Sequence, residues 1–159
     1  MTHIRLANRS DQPTIIDLVA QLLDEIMQRS GGKHFDMDRK QSLSLLEEWL
    51  KDGSYSVLIA EQAQEIVGCA TMVESRSLYA GGSFLSVPEL YVVPALRSHG
   101  VGKLLLDAVI AHAQANRWDR IELTTPPLPM FDKTVAFYKQ NGFERAGGYK
   151  MKRIIQKPI

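Results

Sequence analysis

The chain has 159 residues, the size of one domain able to bury its own core. Its 19 Lys and Arg against 18 Asp and Glu leave a formal charge of +1, so composition offers no broad basic face for nucleic acid or an anionic membrane surface. The single cysteine, Cys69, excludes an internal disulfide framework and a thiolate zinc cluster, and the start MTHIRLANRSDQ lacks the apolar stretch of a signal peptide. With no run of about 18 apolar residues anywhere, a cytoplasmic soluble protein is the expectation.

No repeat, low-complexity tract or Gly/Ser/Pro-rich linker divides the chain, so residues 1–159 are expected to form one domain. THIRLAN (2–8) reads as a short strand. SDQPTIIDLVAQLLDEIMQ (10–28) reads as a helix, with Ser10 or Asp11 as N-cap, Pro13 in the first turn and Ile15, Ile16, Leu18, Val19, Leu22, Leu23 and Ile26 at helical spacing. SGGKHFDM is a loop, and a second helix runs from Asp38 to a stop near Gly53. SYSVLIAE and EIVGCATMVES are strands around a polar tip at Gln62–Gln64, a hairpin. FLSVPELYVV is a further strand reaching Pro94, 101–116 a helix, DRIELTT a strand and FDKTVAFYKQ a helix closed by Asn141-Gly142. FERAGGYKMKRII is expected to be a final strand or hairpin. This order argues a mixed α/β or α+β sheet with helices on its faces.

The stretch LRSHGVGKLL (96–105) places two glycines at a strand-to-helix turn, where open sheets bind ligands. The first N–H groups of a helix lack partners inside it and carry the positive end of its dipole, which suits a phosphate. Gly100 and Gly102 keep Cβ atoms out of an anion's way, and Arg97 and Lys103 bracket the turn with charge. The dinucleotide fingerprint fails because position 105 is Leu, and the P-loop pattern is absent. On this loop alone, a plain glycine turn is an equal alternative.

VVPALRSHGVGKLLL (92–106) resembles the acyl-CoA-binding signature of the GNAT superfamily of N-acetyltransferases, [R/Q]-x-x-G-x-[G/A], with Arg97, Gly100 and Gly102 in its places. VAFYKQNGFER (135–145) is similar to the family's second signature, a helix bearing a Tyr and closing in Gly-Phe. The resemblance spans the chain and implies a mixed, mostly antiparallel sheet of six to seven strands, helices on both faces, and a bulged, splayed central strand. It implies that backbone amides of Arg97, Ser98, His99, Gly100, Val101 and Gly102 hold the pyrophosphate of coenzyme A, and that the main chain of Tyr91, Val92 and Val93 pairs with the pantetheine arm as an added strand. Where many members carry Asn, seven residues before the helix tyrosine, this chain has Phe131, so that cofactor contact does not carry over. The loop TTPPLPM before it is stiff and is expected to shape the acceptor side.

Pro88 interrupts what otherwise reads as a central strand, which predicts a bulge there. In the resembled family such a bulge opens the slot for the thioester. An N–H between Leu90 and Val92 would polarise the carbonyl. The reaction implied is direct attack of an amine on acetyl-CoA, with Tyr138 as general acid toward the leaving thiolate. Glu89 is taken as the base that deprotonates the amine, with a pKa raised toward neutrality by burial. A core tyrosine and a solvated carboxylate are the competing readings of these two. His99 is expected to contribute backbone only, His34 to lie near acceptor entry, and His3 and His112 to be structural. No His pair has metal-ligand spacing, so no metal is expected, and Cys69 reads as a small apolar residue. A small-molecule or peptide amine is the expected partner, with no nucleic acid and no membrane, and a homodimer is left open. A catalytically silent acyl-CoA-binding sensor is the alternative function; a nucleotide-binding module ranks below it.

Overall fold

A computed structural model of the chain describes residues 1–32 and 35–156; the expectation for His34 falls outside them. The elements in chain order are β1 (His3–Leu6), α1 (Gln12–Ser30), α2 (Arg39–Asp52), β2 (Ser56–Gln62), β3 (Glu65–Ser77), β4 (Gly82–Val87), β5 (Leu90–Val92), α3 (Val101–Ala115), β6 (Ile121–Leu123) and α4 (Asp132–Gln140).

Local chemistry accounts for the boundaries. Asn8 Oδ1 accepts the Ser10 N–H at 3.0 Å and Asp11 Oδ2 accepts the Asn8 N–H at 2.8 Å, a reciprocal box on the 3-10 turn that leads into α1. Asp11 is the N-cap of α1, as expected, but its side chain bonds back to Asn8 and Arg5 rather than to the helix, and the side-chain capping is done by Asn8 on the turn before it. Asp38 Oδ1 accepts the Gln41 N–H at 2.8 Å and starts α2 as expected. Gly31 and Gly53 end the two helices at φ +75° and +79°, where any side chain would be strained. The β2–β3 hairpin turns through Ala63 and Gln64, both at positive φ.

The sheet runs β1-β2-β3-β4-β6, with β5 also paired to β3. Four ladders are antiparallel and one, β4 with β6, is parallel. The 13-residue β3 carries two partners along one edge: β5 on Gly68–Ala70 and β4 on Val73–Ser77. The expected single strand 84–93 is thus two short strands, not one bulged strand. Pro88 has no N–H to give a ladder, and the chain changes course at Pro88–Glu89.

The sheet is covered on both faces. Ile15, Ile16, Leu18 and Val19 of α1 and Leu46 of α2 pack against Val57, Ile59, Cys69 and Tyr91. Val101, Leu105, Val109 and Ala113 of α3 pack against Leu58, Ala60, Ala70, Met72 and Leu85. Alternating residues of β2 feed the two layers, the period-2 rule of a strand buried on both sides. The expected final strand at 143–155 does not form among the described residues. Gly147 sits at φ +105°, and Tyr149, Met151, Ile154 and Ile155 are exposed rather than laid on a sheet face. Two consecutive glycines offer little to a ladder, and the neighbouring β6 is only three residues long.

Candidate active site

The parallel pair β4–β6 is in register from Leu85 and Ile121 to Val87 and Leu123. Beyond it the two lines part, since β5 follows β3 and, among the described residues, has no strand partner on its other side. A groove of about 1740 Å³ opens there, lined by β5, by α1, by the loop 124–131, by α4 and by the start of α3.

The edge of β5 offers this groove a defined set of backbone groups. The Thr71 N–H donates to Glu89 O and the Val93 N–H to Val67 O, both at 2.9 Å. Hydrogen-bonded pairs in an antiparallel ladder recur every second residue, so positions 89, 91 and 93 face β3, while Leu90 and Val92 turn their N–H and C=O to the groove. Of the three residues expected to meet a pantetheine arm, only Val92 has its main chain directed there; Tyr91 and Val93 spend theirs in the sheet. Leu90 joins Val92 on the open edge.

At the far end of β5 the chain makes a 3-10 turn at Pro94–Leu96 and enters α3 through Ser98 at φ +65° and Gly100 at φ +86°. Gly100 is the N-cap of α3, its carbonyl accepting the Leu104 N–H at 3.1 Å, which leaves the N–H groups of Val101, Gly102 and Lys103 in the helix's unpaired first turn. The side chains of this loop are used differently from the charge bracket expected. Arg97 makes two hydrogen bonds to Glu25 of α1, at 2.9 and 2.7 Å, and its Nε donates to Val92 O at 2.9 Å. This guanidinium holds the Glu25 carboxyl below its usual range. Lys103 pairs with Asp107 at 2.9 Å on an exposed face, and the His99 ring bonds the Arg97 carbonyl, leaving its own backbone as its contribution. A Cβ on Gly102 would lie 3.3 Å from the Phe137 ring, so this glycine admits the close packing of α3 on α4 as well as opening the turn.

Tyr138 projects from α4 between Phe137 and Phe143, with ring centroids 5.4 and 5.8 Å away. Its side chain is 7% exposed, and burial pushes its pKa up to about 12. Among the described residues no fully enclosed side-chain oxygen or nitrogen lacks a partner. The Tyr138 hydroxyl has no bond partner among the described residues, and the residue lines the groove, so its oxygen opens there.

Glu89 lies at the break in the strand and also lines the groove. The Tyr55 hydroxyl donates to both of its carboxylate oxygens, at 2.5 and 2.9 Å, and its own N–H donates to Thr71 Oγ1 at 2.9 Å. Burial raises the Glu89 pKa above the usual carboxylate range, opposed by the bonds from Tyr55 and Thr71. Burial, with the negative charge of Glu89, raises the Tyr55 pKa in turn, so Tyr55 remains a donor. Tyr55, Thr71 and Glu25 were invisible to sequence reasoning, because they carry no motif and reach the site only through strand pairing and helix packing. Cys69 is fully buried, with a thiol pKa pushed up to about 12, an inert core residue. Phe131 is buried beneath the Arg29 guanidinium, 4.1 Å from its ring centroid, and Arg29 also donates to Met130 O, tying the loop 124–131 to α1.

Comparison with known proteins accords with this architecture. The family model of the acetyltransferase (GNAT) domain matches residues 53–145. An uncharacterized N-acetyltransferase, YhfO of Bacillus subtilis (strain 168), is 28% identical over 147 residues, covering 92% of this chain and 93% of that protein. A predicted acetyltransferase from Clostridium acetobutylicum, solved with acetyl-CoA, superposes with a TM-score of 0.79 at 18% identity over 96% of each chain. A protein described as a transcriptional regulator from Bacillus halodurans superposes at 0.78 with 23% identity, covering 96% of this chain and all of that one. An aminoglycoside acetyltransferase from an uncultured soil metagenomic sample gives 0.75 at 18% identity, covering 98% of this chain and 97% of that one. At these identities the three structures establish a shared fold, whereas the family model covers more than half of the chain with the split strand and the glycine turn inside it: the chain belongs to the GNAT family of acetyltransferases.

Proposed function

We propose that the protein transfers the acetyl group of acetyl-CoA to a primary amine by direct attack on the thioester. The observation that carries this reading is that Glu89 at the strand break, the outer edge of β5, the first turn of α3 and Tyr138 all line one groove. Backbone amides from Ser98 to Lys103 would take the pyrophosphate. Val92 would pair with the pantetheine arm. The Leu90 N–H, directed into the groove, would donate to the thioester oxygen as charge develops on it.

An ammonium acceptor must first lose a proton, and Glu89 would accept it directly or through one water; its raised pKa and its position at the strand break, where it lines the groove, support that role. The neutral nitrogen then adds to the carbonyl carbon. As the C–S bond breaks, the Tyr138 O–H proton passes to the departing sulfur; the surplus proton on the acylated nitrogen returns through water to the Tyr138 phenolate, and Glu89 releases its proton to solvent. One ammonium and one thioester give one amide, one thiol and one released proton. A phenol with its pKa raised to about 12 is fully protonated at neutral pH, so the donor is always loaded.

Thiol release and mass detection of the acetylated amine test this directly. Tyr138→Phe is expected to lower kcat by about 10²–10³ while leaving acetyl-CoA affinity within about twofold. Tight acetyl-CoA binding with no amine acetylated across a broad panel would instead support a silent acyl-CoA sensor.

A further inference from the structure

We infer that the acceptor is a primary amine with an apolar alkyl or arylalkyl body and a single positive charge, and that polycationic amines are selected against; this rests on the acetyl-transfer reading above. With the thioester oxygen on the outward N–H of Leu90, the attacking nitrogen stands at the Pro88–Glu89 end of the groove. The wall on that side is built from Leu22 and Leu23 of α1, Phe35 and Met37 of the segment following it, and Pro88. Leu22, Leu23 and Met37 are also packed into the core between α1, α2 and the sheet, so this apolar surface is held by the fold itself. Phe35 presents 40% of its area to solvent, which an apolar body docking beside it would cover.

Charge argues the same way. Among the described residues lining the groove the carboxylates are Glu25, Glu89 and Asp132; of the basic residues there, Arg29 and Arg97 both pair with Glu25 and Lys103 pairs with Asp107. Glu25 is held in two hydrogen bonds by Arg97. Asp132 lies in the first turn of α4, where the helix dipole already offsets its charge. That leaves Glu89 as the carboxylate beside the reacting nitrogen, enough to compensate one ammonium. The further ammonium groups of a polyamine or an aminoglycoside would meet the apolar wall of Leu22, Leu23, Phe35 and Met37, and a desolvated charge without a counter-charge is strongly unfavourable.

The test measures kcat/KM at saturating acetyl-CoA for n-alkylamines from propylamine to hexylamine, for phenethylamine, and for spermidine and sisomicin, and titrates the same amines calorimetrically against the protein with coenzyme A bound. Expected are a rise of about fourfold per added methylene and values for the two polycations at least about 100-fold below phenethylamine. Phe35→Glu, at an exposed position, should lower phenethylamine by about tenfold and raise spermidine, whereas Phe35→Leu should retain the wild-type order. A series flat with chain length, polycations equal to or better than phenethylamine in either measurement, or no amine bound at all would overturn the inference. If the calorimetric order is as expected but no thiol is released, acetyl transfer fails while the inference about what the groove holds stands; if spermidine is the fastest substrate, the reverse is true.

Discussion

At the scale of the residue, Glu89 is a carboxylate whose two environments oppose one another. Burial favours its neutral form, and the Tyr55 hydroxyl favours its charged form; burial is the larger effect, so its pKa is raised. A base must be unprotonated, so the rate at saturating acetyl-CoA should climb with pH through an ionisation above the usual carboxylate range of about 4. Glu89→Gln should flatten that limb and lower kcat by about 10²-fold at neutral pH. An unchanged pH profile in Glu89→Gln would assign the ionisation to the amine. The same shift has a consequence for stability. A group whose pKa is raised on folding contributes stability that is present below its unfolded value and is lost as pH rises through its folded value. The stability of Glu89→Gln relative to wild type should therefore improve between pH 4 and pH 8, a trend that denaturant titrations at both pH values would read.

At the scale of the element, the α3 turn serves two purposes, and substitutions there must be read against both. From the sequence, Gly102→Asp would block phosphate binding and spare the fold. A Cβ at that position instead points at the Phe137 ring, 3.3 Å from its nearest carbon, so the carboxylate would be driven into the α3–α4 contact. Gly102→Asp should lose about 2 kcal/mol of stability without any ligand present, a fall in Tm of roughly 4–8 °C, and a melting curve matching wild type would restore the simpler reading. The Arg97–Glu25 pair acts at this scale too, since it fastens the loop before α3 to α1 across the groove that both line. Arg97 is thus a strut of the turn, and under the proposed function phosphate binding would fall to the backbone amides there.

At the scale of the whole molecule, the first strand, the second strand and the entry to α1 are locked by one charged cluster. Arg5 holds Asp11 through two bonds of 2.9 and 3.0 Å and reaches Glu61 at 3.0 Å, while Asp11 is buried and also accepts the Asn8 N–H. The Arg5 guanidinium keeps the Asp11 pKa below the ordinary aspartate value. Stability from a depressed carboxylate is present above its unfolded pKa and is lost as pH falls toward the folded one, so thermal stability should drop as pH is lowered below about 4. Asp11→Asn should cost about 1–3 kcal/mol at neutral pH and show a shallower acid limb. A variant as acid-sensitive as wild type would place the titrating group elsewhere.

The sequence by itself determined what depends on neighbours along the chain. The helices starting at Asp38 and Gly100, the glycine stops, the polar hairpin tip and the turn at 97–102 all follow from caps, φ preferences and hydrophobic period, which are local. Pro88 marked where the strand fails, because a missing N–H is a property of one residue. Tertiary structure alone decided which way that failure opened. The choice of Leu90 and Val92 as the outward edge is set by the register of β5 on β3, and a slip of one residue would exchange them for Tyr91 and Val93. Pairing and packing likewise brought Tyr55, 34 positions away, onto Glu89, and Glu25, 72 positions away, onto Arg97. The terminal segment 143–155 has apolar residues in a pattern that reads as strand, yet a strand needs an edge to join as well as a pattern, and no such pairing is made among the described residues.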